Sequence, residues 1–415
     1  MSPSSPVRRL TWLLFFGQSI GSAGFLTAAT VGAILGARFG GHALAGVPGT
    51  LYLLGNALAA YPAARLMERV GYRPGLSLGF FIAIIGALIA GATVITNHFL
   101  GFLVGFSLMG VGRGFYDLGR YAAAEMHPAD ERARAISLVV FGGTLGSILG
   151  PQLTALAGAL AQYSGQDVLA GPWFISAALF AVGALLIFLF LRPDPHALGR
   201  PWHTSPGATT SVAGPVRSVR ELLGQLTIQT AVVAMVIGQL VMVMIMAITS
   251  VHMKDHGHGL DAVANVLTAH AVGMFGLSLV SGRIADNFGR APTLLVGGGL
   301  LISAALLAPL SLNAYMLMLA LFLLGIGWNF CYVAGTALLT DSLTVAERGR
   351  WQGGIDFAVA MVSAAGNLLS GIVFDRLGYA AMNWAGLAVT FIPLLFAVWL
   401  MQSQTARVRV HESQS

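Results

Sequence analysis

The sequence predicts an all-α membrane protein: twelve transmembrane helices in two pseudo-symmetric six-helix bundles. Three observations carry this. Of 415 residues, 56% are hydrophobic and only 9% are charged, against about 25% charged in an average soluble domain. Apolar runs of about 20 residues, long enough to cross a bilayer as a helix, recur twelve times. A short motif of charged residues and glycines also appears once in each half at matching places.

The composition excludes several classes. So few charges could not cover a soluble fold of this apolarity, so a lipid bilayer is the expected solvent. The single cysteine, Cys331, rules out an internal disulfide and a zinc-finger site. The net charge of +6 fits basic residues bordering membrane spans, and no nucleic-acid partner is expected. No nucleotide loop, catalytic triad or metal-hydrolase motif is present, so the chain is not read as an enzyme. The apolar run from Leu10 leads into further spans, which favours a retained first helix over a cleaved signal.

The spans are expected near 10–37, 43–64, 75–96, 98–119, 135–161, 170–191, 226–251, 261–282, 291–311, 313–339, 352–374 and 380–401. Residues 192–225 are rich in Pro, Ser, Thr and Gly and read as a cytoplasmic linker. They separate an N-terminal bundle (1–191) from a C-terminal bundle (226–415). With the N-terminus inside, inner segments hold 18 of the 22 Lys and Arg. Outer segments hold three, Arg38, Lys254 and Arg376, and Arg113 lies within a span. Both termini are therefore expected in the cytoplasm. The cell inner membrane is the expected location and a monomer the expected state.

The halves repeat. ARLMERVGYRP (64–74) and GRIADNFGRAP (282–292) align at an offset of 218, pairing Arg65 with Arg283, Glu68 with Asp286, Gly71 with Gly289 and Pro74 with Pro292. Glu68, Arg69, Asp286 and Arg290 are expected at inner helix ends as gating loops. There they would pair across the two bundles and hold one facing state. The plainer reading is that they anchor tight turns.

Arg113 and Asp117 stand four apart in span four, so they share a helix face and can pair. Asp117 is a candidate proton-coupling carboxylate; the plainer role is to orient the helix. Asp356 is read as capping the start of span eleven. The glycine runs GVGRG (110–114) and GGTLG (142–146) are expected to pack helices closely.

Residues 242–274 hold five of the 15 methionines and four of the 10 histidines. Met242 and Met246 share a face of span seven, and His270 and Met274 share one of span eight. Thioethers and imidazole suit Cu(I), and a histidine inside a membrane helix is a functional candidate. The plainer reading is that the methionines fill the core and His270 bonds a carbonyl. At the 218 offset the first half holds Gly24, Ala28, Tyr52 and Asn56 instead, so the fold does not require these four residues. His252, Met253, His256 and His258 in the following outer loop could capture a metal before entry, or simply be solvated.

GRIADNFGR resembles the Gly-x-x-x-Asp-x-x-Gly-Arg loop signature of the major facilitator superfamily. Arg113 and GGTLGSILGP (142–151) also resemble superfamily motifs, and the resemblance spans about residues 10–400. It implies the major facilitator fold and secondary active transport by alternating access. Met-x-x-x-Met in span seven with His-x-x-x-Met in span eight resembles the CcoA-like copper importers. That implies import of copper as the substrate, as Cu(I), held by Met242, Met246, His270 and Met274, with no resident cofactor and a link to cytochrome oxidase assembly. The branch is also similar to riboflavin importers. The alternative is an organic solute, riboflavin for import or a drug-like compound for efflux, with Tyr52, Trp328 and Tyr332 lining the site. A third reading is a non-transporting metal sensor or assembly factor.

Overall fold

The computed structural model describes residues 5–128, 131–198 and 217–412. Linker residues 199–216, Arg200 among them, lie outside the described residues. The backbone is helical: α1 Ser5–Gly40, α2 Val47–Val70, α3 Tyr72–Ile95, α4 Phe99–Tyr116, α5 Gly119–Glu125, α6 Arg132–Tyr163 and α7 Gly171–Phe190. Then follow α8 Val219–Leu223, α9 Leu226–Asp255, α10 Leu260–Gly276, α11 Ser278–Phe288, α12 Arg290–Leu307, α13 Ala314–Ser342 and α14 Val345–Glu412.

Among the described residues, ten helical stretches are long and apolar enough to cross a membrane, and α10 with α11 pass together as a bent pair. The Gly354–Ser403 stretch of 50 residues is too long for one crossing at 1.5 Å per residue. It breaks at Gly378, whose φ of 79° favours glycine. It therefore supplies spans eleven and twelve, and the twelve-helix expectation holds. Large apolar side chains such as Phe81, Leu100, Leu395 and Trp399 lie exposed on these helices. On a soluble protein they would be a liability; in a bilayer they face lipid.

The chain forms two compact units, Met1–Thr209 with Gly257–Thr268 and Thr210–His256 with Ala269–Ser415. In the first, α1 packs on α6 and α7, α3 on α4 and α7, and α2 on α4. In the second, α9 packs on α13 and α14, and α12 on α13 and α14. The repeat extends to backbone detail. Gly71 (φ 92°) and Gly289 (φ 93°) both turn the chain between consecutive helices.

Two expectations are corrected. Span eight is not one helix: it breaks between Gly276 and Ser278, and its arms diverge by 43°. Asp356 is no cap, because α14 starts at Val345, eleven residues earlier. That start is organised by Glu347, whose buried carboxylate accepts bonds from Thr344 N (3.0 Å) and from Arg217 N, Nε and Nη2 (2.9, 3.0 and 2.7 Å). Arg217 also donates to Ser342 O (2.9 Å). The far end of the linker is thereby fastened to the C-terminal unit.

The Arg217 guanidinium holds the Glu347 carboxyl well below its ordinary value of 4.5. A depressed carboxylate contributes stability that is present above the unfolded pKa and lost as pH falls through the folded one. Melting curves of the parent and Glu347→Gln should therefore differ by a constant gap from pH 8 to 5. The gap should close only in strong acid, and a gap that vanishes already at pH 6 would contradict the contact.

Candidate functional site

Each unit holds a polar-aromatic cluster within its helices, and these two occupy repeated positions. In the N-terminal unit, Gly110 of α4 abuts the Tyr52 carbonyl of α2 so closely that a methyl there would overlap it. In the C-terminal unit, Gly325 of α13 abuts the His270 carbonyl of α10 in the same way. Gly55 against Ser107 O corresponds to Gly273 against Phe322 O. These contacts fix the offset at 218 between α2 and α10 and at 215 between α4 and α13. Tyr52 and His270 are thus counterparts. So are Arg113 and Trp328, and Asp117 and Tyr332. Each run packs a glycine against backbone as expected, Gly112 on Gly79 O and Gly146 on Ser19 O, while Gly143 meets the Ser22 and Gln18 side chains.

The first cluster is charged. Arg113 Nε donates to Asp117 Oδ2 at 2.9 Å, the i,i+4 pair read from the sequence, with side chains 28% and 25% exposed. Gln18 Nε2 of α1 donates to the other Asp117 oxygen at 2.8 Å. Arg113 also donates to the Tyr52 hydroxyl at 3.3 Å and lies 4.8 Å over the Phe25 ring. Phe25 in turn stacks on Tyr52 with centroids 4.2 Å apart. The carboxylate, the hydroxyl and the ring face around the guanidinium offset the cost of a cation at membrane depth.

The second cluster is neutral and aromatic. Trp328 and Tyr332 stack at 4.9 Å, one turn apart on α13. Trp328 Nε1 donates to Gln239 Oε1 at 2.7 Å, and Gln239 Nε2 donates to Ser363 Oγ at 2.8 Å. Phe275 of α10 meets the indole edge-on at 6.2 Å. Below them Met235, Tyr332, Thr336 and Asp356 help line a cavity of about 90 Å³. Asp356, itself exposed, thus lies at the edge of this cavity. Sequence reasoning missed Gln18, Gln239 and Phe25, although Gly17–Gln18 and Gly238–Gln239 are a legible repeat.

The four residues read as metal ligands all fall in the C-terminal unit. Met242 and His270 are buried, and Met246 and Met274 are half-buried. His270 Nδ1 bonds Leu321 O at 2.9 Å, while its buried Nε2 has no hydrogen-bond partner among the described residues. Among the described residues, no thioether accepts a hydrogen bond from that ring. Met244 packs beside Gly366 of α14.

The outer histidines are placed differently from the loop expected. α9 runs to Asp255, so His252 and Met253 are helical, and Met253 is fully buried. His252 stacks on Tyr379 at 4.0 Å and lies 4.3 Å from the His256 ring. His256 Nδ1 bonds His252 O at 2.8 Å. His258 is half-buried and belongs to the N-terminal unit. A four-residue surface collector is therefore not assembled, because Met253 faces the core.

Of the loop charges, Arg290 pairs with Asp286 at 3.1 Å and with Asp341 at 3.2 Å, both in its own unit. Glu68 and Arg69 are exposed. Glu68 lines a cavity of about 510 Å³ with Tyr72, Tyr121, Glu125 and His196, in which His196 Nδ1 lies 2.8 Å from Glu125.

The Major Facilitator Superfamily family model matches residues 11–266 and 230–415. YdeG of Bacillus subtilis (strain 168), an uncharacterised MFS-type transporter, is 34% identical over 399 residues, covering 94% of this chain and 92% of its own. The riboflavin transporter RfnT of Brucella anthropi is 29% identical over 407 residues, covering 95% and 97%. A solved bacterial homologue of the human lysosomal transporter Spinster shares the fold at a TM-score of 0.67 and 16% identity, over 95% of each chain. The protein is a multi-pass secondary transporter rather than an enzyme, and its chain belongs to the Major Facilitator Superfamily.

Proposed function

We propose that this transporter carries a flat aromatic organic solute of the flavin class, with Trp328, Tyr332, Phe275 and Gln239 forming the part of the site held by the C-terminal half. The observation that carries this reading is the half-exposed Trp328–Tyr332 stack, with the Gln239 amide fixed at its edge by Ser363. Aromatic walls with a few placed polar groups suit a planar heterocycle with a polar rim. The first repeat has Arg113 and Asp117 at the same positions, so the aromatic pair is not a requirement of the fold. The riboflavin-transporting relative RfnT supports the same substrate class.

Arg113–Asp117, a direct pair whose carboxylate also accepts from Gln18, is the candidate coupling pair. Asp286–Arg290–Asp341 acts as an inner-end clasp whose breakage accompanies the change of facing state. The 18-to-3 asymmetry of Lys and Arg supports cytoplasmic termini in the inner membrane. A monomer without a cofactor suffices for this mechanism.

Copper import is the second reading, and one observation favours it: among the described residues, the buried Nε2 of His270 has no hydrogen-bond partner. Taking Gly17–Gln18 with Gly238–Gln239 puts Met246 in the place of Phe25. Met246 and His270 would then stand as Phe25 and Tyr52 do. Neutral soft ligands hold Cu(I) and can release it.

One experiment separates the two readings. Riboflavin uptake by a riboflavin-requiring strain and radioactive copper uptake are measured with and without the gene. Gene-dependent riboflavin uptake that survives His270→Ala is the expected result. Gene-dependent copper uptake lost in His270→Ala and Met246→Leu, with no riboflavin uptake, would replace the flavin reading with the copper one.

A further inference from the structure

The break in span eight has a counterpart without a break. At the 218 offset, α10 and α11 correspond to α2, which runs helical from Val47 to Val70. At the 215 offset, Asn329 of α13 corresponds to Gly114 of α4. Gly114 lets α4 lie directly against the Asn56 carbonyl. The counterpart of that carbonyl is Met274 O, and Asn329 Nδ2 donates to it at 2.6 Å. A glycine contact in one half is therefore an amide wedge in the other.

The wedge is fully bonded. A broken helix leaves carbonyls at the end of its first arm without partners, and at membrane depth such groups must be satisfied by protein. Asn329 takes Met274 O. Ser278 Oγ takes Phe275 O at 3.0 Å. Asn329 Nδ2 also donates to Ser278 Oγ at 2.9 Å, and Ser281 Oγ donates to Asn329 Oδ1 at 2.6 Å. Asn329 and Ser281 are both buried. The first half has Ala60 and Ala63 at the serine positions, which offer no such bonds. No proline lies at the break; it falls at Gly276–Leu277–Ser278, where the Asn329 amide bonds the adjoining Met274 carbonyl.

We propose that Asn329, with Ser278 and Ser281, is a positioning unit that builds a joint in span eight. The joint lets the arm bearing Asp286 tilt independently of the arm bearing His270, Met274 and Phe275. It also sets the edge-on approach of Phe275 to Trp328, so Asn329 tunes solute fit without touching the solute. That second part rests on the flavin reading; the joint itself does not.

The test uses the full chain with Cys331 replaced by Ala and spin labels at Asp261 and Asn287, one on each arm. In Asn329→Gly, which restores the residue of the first repeat, the arms should straighten. Their separation should lengthen by about 3 Å, from a 43° bend and a rise of ~1.5 Å per residue. Ser281→Ala, which removes one bond, should broaden the distribution toward the longer distance. Riboflavin KM should rise about tenfold in Asn329→Gly, ~1.4 kcal/mol, with a smaller change in Vmax. Asn329→Asp keeps the acceptor for Ser281 but loses the donor to Met274 O, and should be intermediate. An unchanged distance in both folded variants would overturn the joint. A shifted distance with unchanged KM would overturn the role in solute fit. A parent that carries no riboflavin would overturn the flavin reading alone, because the distances still decide the joint.

Discussion

Trp328→Ala should reduce the apparent affinity for riboflavin about thirtyfold, a loss of ~2 kcal/mol. Two contributions add to that figure. The indole offers a flat ligand a stacking face worth ~0.5–1.5 kcal/mol beyond area burial. Its removal also leaves Gln239 held only through Ser363 Oγ, because Oε1 loses the indole N–H that it accepts at 2.7 Å. An amide that has lost one of its two bonds must be reordered when solute binds. Trp328→Phe separates the two, since it keeps a stacking face and loses only the N–H donor. It should retain most uptake, with the deficit in KM rather than Vmax. Tyr332→Phe should be milder still, because the stack survives. These variants are compared by initial uptake rates at equal expression. Parental KM in Trp328→Ala would remove the aromatic pair from the site.

Much of this fold was legible because membrane helices declare themselves locally. Twelve apolar runs, the repeated loop motif and the arginine asymmetry need no long-range information. The Arg113–Asp117 pair was legible for the same reason: four residues on one helix must share a face. The glycine runs were legible as packing, since small residues allow helices to approach in lipid.

What the sequence hid depends on partners far along the chain. Glu347 meets Arg217 across 130 residues, and nothing beside either residue marks the other. The break in span eight lies in an unremarkable FGLS stretch, and its cause, Asn329, sits on α13. The outer histidines were misplaced because α9 extends four residues beyond the expected end at 251, which turned Met253 into the core. Asp356 looked like a cap because the charge-rich start of α14 reads as loop in the sequence. The soft-ligand set was legible as four residue types on two faces. The packing adds what spacing could not: His270 has one ring nitrogen anchored to Leu321 O and the other without a hydrogen-bond partner among the described residues.

Gly110→Leu should abolish accumulation of folded protein, the largest effect expected of any single change here. Helix propensity argues the opposite way: replacing a helical glycine gains up to ~1 kcal/mol. The close crossing reverses that sign. A Cβ on Gly110 would overlap Tyr52 O, with Tyr52 C and Cα close behind. These are backbone atoms of α2, so no rotamer change relieves the clash and the helix itself must retreat. Overpacking that side chains can absorb costs ~1–3 kcal/mol; moving a helix costs more. The damage also reaches the site, because Tyr52 carries the hydrogen bond from Arg113 and the stack on Phe25. Gly325→Leu, the repeated position, should fail in the same way through His270 O. Gly282→Ala is the control: nothing lies within 4 Å of its would-be Cβ, so it should behave like the parent. Size-exclusion profiles and melting temperatures of detergent-extracted protein decide the matter. A monodisperse Gly110→Leu protein melting with the parent would mean that α2 and α4 do not cross at this glycine.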